Sequence, residues 1–460
     1  MTLRSDWLNA APVFYNERTG AQSRRFEDVV DYERFEWDPE GLNDYLDFGY
    51  AVFGRTPVRD VRFLPPNASL ERDDAGALVL RRHPDPAEEF AGTTIDENEA
   101  IERMREAVRA WERRARGDIV IPTSGGYDSR LLNHFVEDTS RVRSFTYGVS
   151  RDQSRSLEAA RARVLAERLG AKWERVPIGD YHLEIGWWEE RFGLSTHAHG
   201  MYHVEFYRTI IERGFGGAPL LSGVIGDVWA GNVNIPDRIT LDNVRDLGYT
   251  HGVHADAARS RFPQTLEHRA RYLEENRERL GSRYWRIVEA NRLKIMLLRY
   301  LVEVPRELGF APWSPFLEPD VAGAMLAVPD ERWRDRRWQT DYLARVGLDL
   351  ENERIPHTRQ DTLDLDAARR VPLEPLDADL LSEIVDRDYV ERANAVLVSR
   401  SALRRFYHRL HFTPLVKGAL KTAGFRNRFY DAYFVYIVLH PLERAIKKRD
   451  AIAAGREEAR

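Results

Sequence analysis

The sequence predicts an α/β protein with a parallel sheet at its centre, and three observations carry that expectation. Short runs at 119–122, 142–147 and 172–177 have the length and the β-branched or aromatic content of strands, and helical patterns separate them. The first run opens directly into a glycine-rich loop, Ser124-Gly-Gly-Tyr-Asp-Ser129. A further buried parallel strand is expected at 219–221, again followed by glycines and an aspartate.

Each element follows in order. Ile101, Met104, Val108 and Trp111 recur at helical spacing before Gly117, which reads as a helix stop. After the strand at 119–122 and its loop, Leu131, Leu132, Phe135 and Val136 mark a helix packed on a sheet. The strand at 142–147 leads to a helix with Leu157, Ala160, Val164, Leu165 and Leu169 on one face and Gly170 as its stop. The strand at 172–177 then completes a βαβαβ run. In open α/β sheets nucleotides bind at the carboxyl ends of strands, which is where the loop falls.

The loop has the chemistry of a pyrophosphate cradle. Gly125 and Gly126 let the backbone turn so that successive N–H groups face one anion, and Ser124 and Ser129 add hydroxyl donors beside Tyr127. The helix that begins near Arg130 contributes its positive end. Asp128 is repelled by phosphates unless a cation lies between, so it is assigned to Mg²⁺. An ordinary Ser/Gly/Asp surface turn is the alternative, and the strand-loop-helix context disfavours it.

Ser-Gly-Gly-X-Asp-Ser after a strand resembles the signature of the PP-loop ATP pyrophosphatases, which split ATP between its α and β phosphates. A second element, Pro219-Leu-Leu-Ser-Gly-Val-Ile-Gly-Asp-Val-Trp-Ala-Gly-Asn232, narrows the likeness. It resembles the Ser-Gly-Glu-Gly-(Ala/Gly)-Asp-Glu-Leu-Phe-Gly-Gly element of the asparagine synthetase synthase domain, with Ser222, Gly223, Gly226, Asp227 and Gly231 matching. A third, Glu307-Leu-Gly-Phe-Ala-Pro-Trp-Ser-Pro-Phe-Leu-Glu-Pro-Asp320 with a helix at 321–328, is similar to the family's Gly-x-Glu-x-Arg-x-Pro-Phe-Leu-Asp segment. The three stand in the family's order across roughly 110–345.

The resemblance implies a PP-loop (adenine nucleotide alpha hydrolase-like) domain that uses ATP and Mg²⁺. Asp128 and Asp227 would share the metal and act in catalysis, while Ser124, Gly125, Gly126, Tyr127, Ser129, Ser222, Gly223 and Gly226 would hold the nucleotide. Adenine would rest near Ile121 and Tyr147. A small-molecule, peptide or glycan carboxylate would be adenylated and captured by ammonia or an amine. A ligase of this kind is expected in the cytoplasm.

Departures limit the likeness. Val224 replaces the second element's glutamate, and Ala311 and Trp313 occupy the third element's glutamate and arginine positions. The family's downstream lysine has no counterpart, because no lysine occurs between Lys294 and Lys417; Arg354 and Arg359 are the nearest substitutes, with Arg359 assigned a catalytic role. The chain has no cysteine, so the family's cysteine glutaminase is not expected here and a separate glutaminase subunit is a candidate partner. A nucleotide-binding scaffold without turnover, and other PP-loop chemistry such as tRNA modification, stay open.

Three units are expected: a partly β region at 1–92 resembling the end of a glutaminase domain, the nucleotide domain at 93–345 and a helical region at 346–460. The loop-like stretch at 354–377 is the lid candidate. A net charge of −5 gives no general nucleic-acid footprint. The apolar run at 432–439 is too short to span a membrane. Twelve Lys and Arg against Asp431 and Glu443 make 400–449 basic, with aromatics interleaved in Arg404-Arg-Phe-Tyr-His408 and Arg426-Asn-Arg-Phe-Tyr430. An arginine-rich outer helix face explains this, and an anionic partner is the sharper reading. His197, His199 and His203 invite a zinc site, though packing is the default for such a cluster.

Overall fold

The computed structural model describes residues 3–248, 252–358, 360–398 and 427–458. The chain opens with β1 (Phe14–Asn16) and β2 (Gln22–Ser23), then helix α1 (Pro39–Phe48) and β3 (Val61–Phe63). The three strands form an antiparallel sheet in the order β2-β1-β3. Asp38 caps α1 by accepting from the Gly41 N–H, Pro39 starts the helix, and Gly49 ends it in the left-handed region. A hairpin of β4 (Ala68–Arg72) and β5 (Leu78–Arg82) follows.

The central layer runs through α2 (Glu97–Glu112), β6 (Ile119–Pro122), α3 (Tyr127–Phe135), β7 (Val142–Thr146), α4 (Leu157–Leu169) and β8 (Lys172–Arg175). Gly170 closes α4 at φ 66°, as its position after the last apolar residue predicts. Beyond α5 (Tyr202–Ile210) come β9 (Pro219–Leu221), the short α6 (Gly226–Ala230), α7 (Arg283–Leu298), α8 (Tyr300–Glu307), β10 (Ala311–Trp313), α9 (Pro319–Leu326) and α10 (Arg337–Arg345). The molecule is therefore α/β with a five-stranded parallel sheet in the order β10-β9-β6-β7-β8. The third strand stops at Arg175, short of 177, and the helix expected at 321–328 starts earlier because Pro319 sits at its first position.

Alternation along β6 explains why the sheet is covered on both faces. Ile119 and Ile121 join Leu131, Leu132, Val142 and Leu221 in one core with α2, while Val120 joins Phe145, Leu220 and Phe206 in another. The second core is shared with both ends of the chain: Phe14, Phe26 and Trp37 pack in it with Tyr433, Val438 and Ile446.

Three helices, α11 (Leu363–Arg370), α12 (Arg387–Leu397) and α13 (Arg428–Glu458), make up much of the C-terminal part, and Pro441 lies inside α13. The stretch at 354–377 is not a bare loop. Thr358 bridges to Ser156, Thr362 N–H donates to the Val149 carbonyl at 2.8 Å, and α11 follows. Residues 399–426, with most of the basic interleaved segment, lie outside the described residues. Of the basic residues that are described, Lys447 pairs with Glu443, Lys448 with Glu27 at 2.6 Å and Arg449 with Glu383 at 2.8 Å. Those charges serve intramolecular surface pairs. No helix among the described residues is long and apolar enough to cross a membrane.

Candidate functional site

Strand order determines where a site can form. From β6 the chain moves outward through β7 and β8, then returns to β9 on the other side of β6, so loops at the carboxyl ends of β6 and β9 diverge around a crevice. Asp128 stands in the first turn of α3, just past the loop leaving β6, and Asp227 in the first turn of α6, just past the loop leaving β9.

Buried polar groups hold the first loop from below. Asn133 Nδ2 donates to Thr123 Oγ1 at 3.0 Å and to the Ser129 carbonyl at 2.7 Å, and its Oδ1 accepts from Ser144 Oγ at 2.8 Å. Ser129 Oγ donates to the Gly126 carbonyl at 3.0 Å, and the Gly126 N–H reaches Ser124 Oγ at 3.3 Å. Arg130 is a strut that the sequence reading treats only as the start of a helix. Fully buried, it donates to the Gly125 carbonyl at 2.8 Å and grips Glu351 with both fork nitrogens at 2.6 and 2.7 Å. Gly125 has φ +69°, and a Cβ there would stand 2.4 Å from that of Arg161, so only glycine fits.

The second loop is fastened by tryptophans. Trp229 Nε1 donates to the Phe316 carbonyl at 2.9 Å, Trp333 Nε1 to the Trp229 carbonyl at 2.7 Å and Trp338 Nε1 to the Ala230 carbonyl at 3.1 Å. The last two bonds satisfy carbonyls at the end of α6, a helix too short to hold its own register, and the first ties α6 to the segment at 315–317. A Cβ on Gly226 would lie 2.7 Å from Asp128 Cγ and 2.8 Å from the Phe316 ring, so the three sequence elements at 124–129, 219–232 and 307–320 meet at this point. Asn232 Nδ2 donates to Asp227 Oδ2 at 3.2 Å.

Electrostatics mark Asp128 as an unsatisfied group. Burial pushes its carboxyl up to about 8, the neighbouring Asp227 charge adds to the rise, and Arg336 opposes it. Its Oδ1 is buried without a hydrogen-bond partner. Gln339 stands close enough to ease the charge, yet both ends of its buried amide lack a formed hydrogen bond. Two cations that sequence reasoning missed are here. Arg336 lies 4.4 Å over the Tyr127 ring, whose other guanidinium neighbour is Arg130 at 5.0 Å. Lys294 on α7 is depressed by burial, and the Asp227 carboxylate opposes that shift.

A cavity of about 440 Å³ opens over both loops. Ser124, Gly126, Tyr127, Asp128, Ser129, Tyr147, Ser222, Gly223 and Asp227 line it, while Gly125 and Gly226 stand behind the lining as spacing residues. Ile121 is fully buried within the sheet and does not face the cavity; Phe145, Thr146 and Tyr147 do. Arg359 lies outside the described residues. Val224, 2 % exposed, gives the wall an apolar patch.

The histidines are not gathered around a metal. His197 Nδ1 accepts from the His199 N–H at 3.2 Å, His199 pairs with Asp364 at 3.6 Å, and burial pushes His203 down to about 3 among aromatic rings. No group of three or more His, Cys, Asp or Glu side chains among the described residues is arranged to hold a metal ion. Asp128 and Asp227 supply two carboxylates, which suits Mg²⁺, an ion that takes its remaining ligands from water and phosphate. In comparisons with known proteins, no family model matches the sequence and no curated protein does so either.

Proposed function

We propose that the chain is an ATP-dependent carbon-nitrogen ligase of the asparagine synthetase type, with a PP-loop nucleotide domain and no glutaminase activity of its own. The observation that carries this reading is the convergence of Asp128 and Asp227 at the mouth of a glycine cradle, with Asp128 Oδ1 buried and unpaired. A buried carboxylate raised by a second carboxylate is costly unless a cation joins them, and the residues fit Mg²⁺. When bound, Mg²⁺ would supply charge neutralisation on the phosphates.

Each residue then has a task on ATP as substrate. Backbone N–H groups and hydroxyls of 124–129 bind the β and γ phosphates, and Asp128 and Asp227 would hold the metal beside them. Arg336, which lines the cavity and eases the Asp128 charge, would offset negative charge as pyrophosphate separates in place of the missing downstream lysine, and Lys294, behind the lining, would steady Asp227. A substrate carboxylate attacks the α phosphorus, and ammonia or an amine captures the acyl group. Nitrogen reaches the site as free ammonia, from a separate glutaminase, or on a substrate amine, and dependence on ATP suits a cytoplasmic enzyme.

The test is pyrophosphate and AMP release from ATP and Mg²⁺ with a panel of carboxylates, with and without ammonia. Release that disappears in Asp128→Ala supports the ligase. Tight ATP binding without pyrophosphate across the panel supports a binding scaffold instead, the reading that buried, apolar Val224 favours in place of a catalytic glutamate.

A further inference from the structure

The far wall of the cavity has a composition that phosphate binding does not explain. Tyr147, Tyr202, Phe206, Tyr207 and Tyr300 all face it. Tyr147 meets Tyr202 at 5.4 Å and Phe206 at 5.3 Å in edge-to-face contacts that hold the rings in place. From the first turn of α4, Glu158 enters the same chamber beside Tyr147, and its Oε2 is buried without a hydrogen-bond partner. His203, 5 % exposed and uncharged, lines the chamber with its Nδ1 also unpartnered.

The charge balance of this wall is one-sided. Among the described residues Arg336 is the one lysine or arginine lining the cavity, and it lies at the opposite end over Tyr127. An isolated buried carboxylate oxygen is costly until a donor reaches it. Ring faces carry the negative side of an aromatic quadrupole and attract a cation. An ammonium group satisfies both, and its organic body fills the apolar remainder, for which ammonia is too small.

We propose that this chamber is the subsite for an organic primary amine, bound as its ammonium ion with Glu158 as anchor and the rings of Tyr202 and Tyr300 as walls, Tyr147 being left to the adenine that the resemblance implies beside it. The role of that amine rests on the ligase reading: it is the nucleophile that captures the acyl-adenylate. The ammonium gives one proton to the Glu158 carboxylate, and the freed lone pair forms the C–N bond. The C–O bond to AMP breaks with its electron pair passing to the AMP phosphate, and the second nitrogen proton leaves to water. Amide and AMP result.

The experiment is isothermal titration of the full chain, without ATP, with tyramine, its neutral counterpart 2-(4-hydroxyphenyl)ethanol and ammonium chloride. Tyramine is expected to bind at least about tenfold more tightly than the alcohol, and Glu158→Gln is expected to erase that preference. Equal binding of amine and alcohol to the unmodified protein overturns the proposal without depending on any variant, as does absence of tyramine binding at millimolar concentration. A Glu158→Gln protein that keeps the amine preference and instead loses ATP affinity assigns Glu158 to the nucleotide and also overturns it. Pyrophosphate release separates this proposal from the ligase reading. Amine selectivity without release from any acid leaves the chamber intact and removes the ligase; release without amine selectivity does the reverse.

Discussion

The two ends of the cavity are built in opposite ways. At the loop end, consecutive residues at 124–129 present backbone N–H groups, and the requirement falls on what is missing: a Cβ at Gly125 or Gly226 has no room. At the chamber end, Tyr147, Glu158, Tyr202 and Tyr300 arrive from separated segments, and recognition falls on what the side chains carry. The loop end should therefore fail when atoms are added or its carboxylates removed. The chamber end should fail by degrees as polar atoms are trimmed.

The largest expected effect belongs to the carboxylates. Asp128→Ala and Asp227→Ala should each lower pyrophosphate release at least about a hundredfold, the scale seen when a transition-state charge partner is lost. A coupled assay for pyrophosphate at saturating ATP measures this. Residual release within a few-fold of the unmodified protein in either variant would place the metal elsewhere.

Gly226→Ala comes next and acts by addition. Its Cβ would intrude to 2.7 Å from Asp128 Cγ and 2.8 Å from the Phe316 ring, so the two loops must separate. We expect a loss of about 1–3 kcal/mol in stability, the usual cost of overpacking. Release should fall by about tenfold or more, as misplacement by about 1 Å can cost that much. Thermal unfolding and the same assay should fall together; an unchanged midpoint with unchanged release would mean that the contact is slack.

Tyr300→Phe probes the other end with a single oxygen. Its hydroxyl lies 3.4 Å from that of Tyr202, so the change removes one weak hydrogen bond and leaves the ring. The loss should be about 0.5–1.5 kcal/mol, seen as a several-fold rise in KM for the amine with kcat little altered. A collapse of kcat comparable to that of Asp128→Ala would erase the distinction between the two ends.

This division also explains what the sequence discloses. The loop, its strand and Asp227 are legible because their information is local: β-branched residues at 119–121, a glycine pair, then a carboxylate. The strut role of Arg130 does not show in the sequence because its partner, Glu351, is 221 residues away. Lys294 shows in sequence only as the boundary of a lysine-free stretch, and it gains meaning when α7 brings it beside Asp227. Glu158 looks like an ordinary acidic residue in a helix's first turn until the fold brings it into one cavity with Tyr202 and Tyr300.

The smallest effects are thermal, and they differ in sign between the two ends. Asp128 is raised from its ordinary 3.8 to about 8 in the folded protein. Between those values the folded chain keeps a proton that the unfolded chain has released, so this carboxyl makes stability fall as pH rises. His203 is lowered from 6.5 to about 3, so the folded chain refuses a proton that the unfolded chain takes, and its contribution is lost as pH falls through that window. From about pH 4 to 6.5 the two slopes oppose each other, and from 6.5 to 8 that of Asp128 acts without His203. Asp128→Asn should therefore melt about 2–4 °C above the unmodified apo protein at pH 8.5, with the gap closing toward pH 5. His203→Phe should flatten the acid side below pH 6.5 and leave the alkaline side unchanged. Mg²⁺ should raise the melting point at pH 8.5 for the unmodified chain but not for Asp128→Asn, because the ion would neutralise the charge that Asp128 carries beside Asp227 once its proton is lost. An Asn variant less stable than the unmodified chain at pH 8.5 would show that Asp128 is satisfied without a cation, and the loop end would lose the property that sets it apart from the chamber.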